Sequence, residues 1–245
     1  MIDHKKAFDL IDHTLFLQKL RSTGIDNDYV SLLESYLSDR TQYVNIDGCH
    51  STLRDANFGV PQGSILGPVS FLIFIHDLPK ILEHSAADIY ADDTTVSANV
   101  DHRSAPGALD QVLQADVGKV AQWTTDNKMV LNESKTKTML VAGKRLHGEM
   151  SSTSLTVHVN SVELGQVQSP KLLGVIIDTQ LNFNEHIDNL CKKLTQRIAV
   201  LKKIRCHLPL DQPIFYYNAM IKQTMTYGSS VWVSTSVDNL NTVFI

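Results

Sequence analysis

Residues 87–96, Ala-Asp-Ile-Tyr-Ala-Asp-Asp-Thr-Thr-Val, constrain the fold of this 245-residue chain more than any other stretch. Apolar-rich runs flank two adjacent acids, a pattern that predicts a β-hairpin. Its turn would set the Asp92 and Asp93 carboxylates side by side at the tip. Like charges held that close repel, and a fold tolerates them best beside a cation. Hard divalent ions such as Mg²⁺ take carboxylate oxygens. Asp3 is the best candidate for a third carboxylate, because Ile2-Asp3 reads as the end of a strand. If that strand lies beside the hairpin, Asp3 meets Asp92 and Asp93. Three carboxylates can hold two Mg²⁺ ions about 3.5–4 Å apart, which activates an attacking oxygen and stabilises a leaving one in phosphoryl transfer. The plainer alternative is a solvated turn and a terminal charge, the usual reading of an isolated Asp-Asp pair.

Hydrophobic residues make up 43% of the chain and charged residues 20%, which indicates a globular protein of one or two domains and argues against disorder. Cys49, Cys191 and Cys206 are odd in number and form no CxxC pair, so they point to a reducing compartment and give no zinc signature. The first residues lack the apolar core of a signal peptide. The most apolar run, residues 65–75, is shorter than the roughly 20 residues a bilayer requires. The expectation is a soluble intracellular protein with no membrane partner. Net charge is −4, but residues 1–120 hold 9 Lys+Arg against 17 Asp+Glu, and residues 121–245 hold 13 against 9. The acidic half contains the candidate metal site, and the basic half could face a polyanion.

Residues 12–20 and 26–37 predict helices, the first capped by Asp12 and ended by Gly24. Residues 42–46 and 52–58 read as strands around an Asp47-Gly48 hairpin turn. The Gly59-Val60-Pro61-Gln62-Gly63 stretch is a rigid break. Ser64 then caps an apolar helix over residues 65–78. Residues 104–127 predict a helix after the acidic hairpin. Short strands are expected at 129–131, 138–141, 155–159 and 171–177. Strands, hairpins and helices together make an α+β domain with a mixed or antiparallel sheet. Residues 184–204 form a basic amphipathic helix, with Lys192, Lys193, Arg197, Lys202 and Lys203 on its polar side. Residues 211–225 predict another helix. His4, His13, His76 and the other histidines show no metal-ligand spacing and read as surface or locally bonded residues.

Four blocks occur in a telling order: Asp3-His4-Lys5-Lys6-Ala7-Phe8-Asp9, then residues 59–68, then Tyr90-Ala91-Asp92-Asp93, then Leu131-Asn132-Glu133-Ser134-Lys135-Thr136-Lys137. This resembles the reverse transcriptases of non-LTR (LINE-type) retrotransposons, whose motifs A, B, C and D the blocks look like. Residues 171–178 resemble the Leu-Gly primer-grip region that follows, and residues 227–232 resemble a run found after the thumb. The resemblance implies a palm with partial fingers over residues 1–180 and a helical thumb with the start of a post-thumb region over residues 181–245. It implies an RNA-directed DNA polymerase using two Mg²⁺ ions, with Mn²⁺ as a possible substitute. Its partners would be an RNA template, a DNA primer and dNTPs.

Carried over residue by residue, Asp3 and Asp92 would be metal ligands and Asp93 the adjacent acid with a less direct role. Phe8 would be an aromatic gate that clashes with a ribose 2′-OH; as a residue alone it reads as an ordinary core Phe before a helix. Gln62 and Gly63 would contact the incoming nucleotide and the template. Lys135 would serve the leaving pyrophosphate, with Lys137 close enough to compete for that role. The five helix cations would track the primer–template backbone. The family's fingers lie mostly before motif A, and here motif A opens the chain, so an N-terminally truncated protein with its fingers largely missing is expected. Two readings of function follow. One is a polymerase fragment; the other is a catalytically inactive retroelement remnant or a nucleic-acid-binding palm/thumb module.

Overall fold

Two aspartates start the first two helices. The Asp12 carboxylate accepts the Leu15 N–H at 2.9 Å and opens the helix His13–Ser22, and Asp26 accepts the Asp28 N–H at 2.9 Å and opens Asn27–Leu37. Each satisfies an amide that the first helical turn leaves without a backbone partner. A Ser64 hydroxyl accepts the Gly67 N–H at 2.9 Å just before the apolar helix Leu66–Ile75. That helix stops short of the expected residue 78, and a 3-10 turn, Leu78–Ile81 with Pro79 in its first turn, follows it.

The computed structural model describes residues 1–61, 63–101, 107–143, 154–209 and 211–244. They divide into two compact units, Met1–Thr138 with Leu155–Gly165, and Met139–Ser154 with Gln166–Ile245. Elements of the described residues mix helices with short antiparallel strand pairs.

In the first unit the acidic hairpin pairs Ser85–Tyr90 with Asp93–Ala98 in full register, from Ser85 opposite Ala98 to Tyr90 opposite Asp93. Ala91 takes a left-handed φ of 54° in the two-residue turn. The helix Ala108–Asp126 packs against both strands, and His13–Ser22 packs against Asn27–Leu37 and Leu66–Ile75. Phe16, Leu20, Phe71, Phe74 and Val120 form the centre of the resulting core. Leu78 closes it from the 3-10 turn. The start of the chain is woven into this sheet. Ile2 donates its N–H to the Thr94 carbonyl at 2.7 Å, and His4 pairs with Leu131 on the other side.

The strands expected at 42–46 and 52–58 are shorter than the sequence suggests. Thr41–Gln42 pairs with Arg54–Asp55 and Asn45–Ile46 with Cys49–His50, and Phe58 forms an isolated bridge with Asp12. The Asp47-Gly48 turn forms as expected, with φ of 49° and 83° at its two central residues. All eight strand residues are exposed. A two-stranded ribbon with no layer beneath it is marginal, so its ladder breaks into fragments. The expected strand at 129–131 is likewise reduced to a single bridge at Leu131.

In the second unit the strand pair Lys171–Leu172 and Val175–Ile176 precedes the helix Asn184–Ile204, whose bounds match the expected ones. The Asp178 carboxylate gathers the N–H groups of Gln180, Asn182 and Phe183 ahead of that helix. Ile187, Leu190, Ile221 and Trp232 form the centre of this unit's core. The helix expected over 211–225 is interrupted. Gln212–Tyr216 and Gln223–Thr226 are α-helical, and Tyr217–Lys222 between them is a π-helix. A π-turn widens the backbone ring by one residue, which side-chain periodicity does not reveal.

Candidate active site

Asp3 sits in a strand-like alternation: Ile2 and His4 are buried in the core and Asp3 between them is half-buried. Its backbone is held on two sides. Ile2 is bonded to the hairpin, while the Asn132 N–H donates to the Asp3 carbonyl at 2.8 Å and the Asp3 N–H donates to the Thr136 hydroxyl at 3.2 Å. The register of Ile2 opposite Thr94 lays Asp3 alongside the hairpin tip.

Asp3, Phe8, Asp92 and Lys135 line one open cavity of about 660 Å³. Asp93 and Gly63 are not among its lining residues, and Gln62 lies outside the described residues. The Phe8 ring packs against Phe71 with centroids 4.8 Å apart, so the residue is both a core contact and a wall of the cavity. Lys135 reaches the cavity from a tight turn in which its N–H donates to the Asn132 carbonyl at 3.1 Å. Lys137 does not line it; its N–H and carbonyl bond to Met1.

Two residues that sequence reasoning left aside belong here. His4 lines the cavity, is 5% exposed, and has neither ring nitrogen hydrogen-bonded. The expectation of a surface or locally bonded histidine is therefore corrected; His13 and His76 do bond to backbone carbonyls, of Gly59 and Ile73. Burial pushes the His4 imidazole below its usual pKa, and the Asp3 and Asp92 charges pull the other way. Its edge-on contact with Trp123, at 6.4 Å between centroids, places it over the core. Asn132 is the second. Its side-chain amide donates to Asp3 Oδ2 at 2.8 Å. The only sequence signal for it is its place in the Leu131–Lys137 block.

Among the described residues, no three acidic, histidine or cysteine side chains gather closely enough to hold an ion by themselves. The hard carboxylates lining the cavity are Asp3, Asp9 and Asp92, of which Asp3 and Asp92 are the ligand pair expected from the sequence. That suits a cation such as Mg²⁺, which is usually bound by one or two carboxylates and completes its octahedron with water and substrate phosphates.

The helix cations lie in the second unit. Lys192, Lys193, Lys202 and Lys203 are exposed along Asn184–Ile204. Arg197 is tied to the Met220 carbonyl and the Thr224 hydroxyl. Lys193 and Arg197 line a further cavity of about 460 Å³ together with Lys171. Among the described residues, no helix is long and apolar enough to cross a membrane.

Residues 1–177 match the family model described as reverse transcriptase (RNA-dependent DNA polymerase). The chain belongs to the reverse transcriptase family. It is 28% identical over 240 residues to the probable RNA-directed DNA polymerase from transposon X-element of Drosophila melanogaster, covering 94% of this chain and 25% of that protein. It is 28% identical over 255 residues to the RNA-directed DNA polymerase from mobile element jockey of the same organism, covering 100% of this chain and 27% of that protein. The Pol polyprotein from type-1 retrotransposable element R1 of Bradysia coprophila is 24% identical over 239 residues. The chain thus spans about a quarter of the length of these relatives. It is a reverse transcriptase domain of non-LTR retrotransposon type, as its four sequence blocks led us to expect, and reverse transcriptases generally use divalent metal ions.

Proposed function

We propose that this chain is the palm and thumb of an RNA-directed DNA polymerase, with the palm and partial fingers over residues 1–180 and the thumb from 181. The reaction is attack of a primer 3′-oxygen on the α-phosphorus of a dNTP. The new P–O bond forms as the bond to pyrophosphate breaks. The observation that carries the reading is the shared cavity of Asp3, Asp92, Phe8 and Lys135, four residues 3 to 135 positions into the sequence that the fold brings to one surface.

Asp3 and Asp92 would hold the divalent ions, two Mg²⁺ as the family resemblance implies, with Asp93 in a supporting role beside them. When bound, such ions lower the barrier by neutralising charge on the attacking and leaving oxygens. The Lys135 ammonium faces the leaving pyrophosphate and supplies a proton or a balancing charge. Phe8 is the aromatic gate whose ring would collide with a ribose 2′-OH, which favours deoxynucleotides. Gln62 and Gly63 contact the nucleotide and template. Lys192, Lys193, Arg197, Lys202 and Lys203 contact the backbone of the RNA–DNA duplex.

The test is Mg²⁺-dependent primer extension on an RNA template, wild type against Asp92→Ala. Wild-type extension reduced at least about 100-fold in the variant is expected, the scale of loss when a reacting geometry is displaced. Equal extension by both proteins, or none by the wild type, would sink the enzyme reading and leave the nucleic-acid-binding module.

A further inference from the structure

Asn132 makes a contact that its position in the sequence does not announce. It lies 129 residues from Asp3, is 9% exposed, and donates its side-chain N–H to Asp3 Oδ2 at 2.8 Å. The amide is itself held: the Ser134 hydroxyl donates to Asn132 Oδ1 at 2.8 Å. An ionised carboxylate only accepts, so the amide must turn its nitrogen toward Asp3 and its oxygen toward Ser134. One oxygen of the Asp3 carboxylate is thereby held, and Oδ1 is left without an Asn132 contact. The Asn132 backbone works at the same place. Its N–H bonds to the Asp3 carbonyl, and its carbonyl receives the N–H groups of Lys135 at 3.1 Å and Thr136 at 2.8 Å.

We infer that Asn132 is a positioning residue that orients the Asp3 carboxylate for divalent-metal binding, through the bond from its side-chain amide to Oδ2. The inference rests on the reading of Asp3 and Asp92 as metal ligands. Ligating carboxylates need such hydrogen-bonded partners to hold their orientation, and removing one typically costs about 10- to 100-fold in metal affinity. Because one residue also caps the turn bearing Lys135, the ligand and the lysine are set in a single frame. The side chain can be altered while these backbone bonds stay, since they involve only the Asn132 N–H and carbonyl. This separates orientation of Asp3 from formation of the loop.

The experiment is Mn²⁺ titration of the full chain by electron paramagnetic resonance, with a thermal melt of each protein. Asn132→Ala removes the amide, and Asn132→Leu removes it while keeping the volume. Asp3→Asn is the control for the metal site. The expected result is a Mn²⁺ Kd raised about 10- to 100-fold in both Asn132 variants, with the melt retained, and a still larger loss in Asp3→Asn. Unchanged Kd in both Asn132 variants beside a loss in Asp3→Asn would overturn the positioning role and leave the metal reading standing. Binding that is absent in the wild type, or equal in Asp3→Asn, would overturn both. Loss of the folded state in both Asn132 variants would assign the residue to stability and overturn the positioning role.

Discussion

Asp116 offers a sharp test of how the hairpin is anchored. It is fully buried on the helix Ala108–Asp126. Its Oδ1 accepts the Glu83 N–H at 3.1 Å and its Oδ2 accepts the His84 N–H at 3.0 Å. Those two residues lead directly into the strand Ser85–Tyr90, whose far end turns at Ala91-Asp92. A hydrogen bond to a charged group contributes about 1.5–3 kcal/mol. Two are lost in Asp116→Ala, but Glu83 and His84 are exposed residues whose amides can gain water. The lower end therefore applies, about 3 kcal/mol in all. For a chain of this size that is roughly 6–12 °C in melting temperature. Asp116→Asn keeps one acceptor, now uncharged, and turns the other into a donor facing an N–H, so at least half the loss is expected. Burial alone would raise the Asp116 pKa, yet the Glu83 and His84 amides and the Lys119 ammonium outweigh it and hold the carboxyl below its ordinary value. The carboxylate's contribution is therefore complete above about pH 4, the value of the unfolded group, and is lost as pH falls through the lowered folded value. Thermal melts from pH 3 to 8 measure it. The wild-type advantage over Asp116→Asn should be constant above pH 5 and shrink below pH 4. Equal melts for all three proteins at pH 7 would refute the anchoring argument, and so would an advantage that grows with acid.

Two further outcomes are expected. Gly59→Ala should destabilise the chain by roughly 2–4 kcal/mol in urea denaturation, because Gly59 has a φ of 78° and an added Cβ would lie 2.9 Å from the Asp9 carbonyl oxygen; an unchanged midpoint would show that the loop can shift away from Asp9. Binding of an RNA–DNA duplex should weaken steeply with salt, and replacing Lys202 and Lys203 with alanine should reduce the logarithmic salt slope by about 2; an unaltered slope would remove those lysines from the duplex contact.

What the sequence reveals about this protein divides by the range of the force involved. The helix starts at Asp12 and Asp26 depend on a side chain reaching an amide two or three residues on, so a cap residue before an apolar period was enough to locate them. The helix Asn184–Ile204 was legible to both ends for a similar reason, its apolar face recurring at 187, 190 and 194, all buried. The acidic hairpin was legible because its turn is short and its flanks apolar. Contacts across the chain were not legible in this way. That the strand of Asp3 lies beside the hairpin is an inference from charge, strengthened by the family resemblance, and the pairing of Ile2 with Thr94 has no signal in the sequence. The amide of Asn132 on Asp3 had no local signature at all, since an Asn followed by Glu, Ser and Lys reads as a polar turn. The burial of His4 was hidden for the same reason: strand alternation sends it opposite to Asp3, but only the arrival of Leu131 and Trp123 decides that this face is core. The residues most readily overlooked are thus those whose partners lie far along the chain. Around Asp3 they are the ones that determine how well a carboxylate can be held. A sequence can therefore preserve the Asp92-Asp93 tip intact while a change at Asn132 weakens the site, and inspection of the acidic residues alone would not detect it.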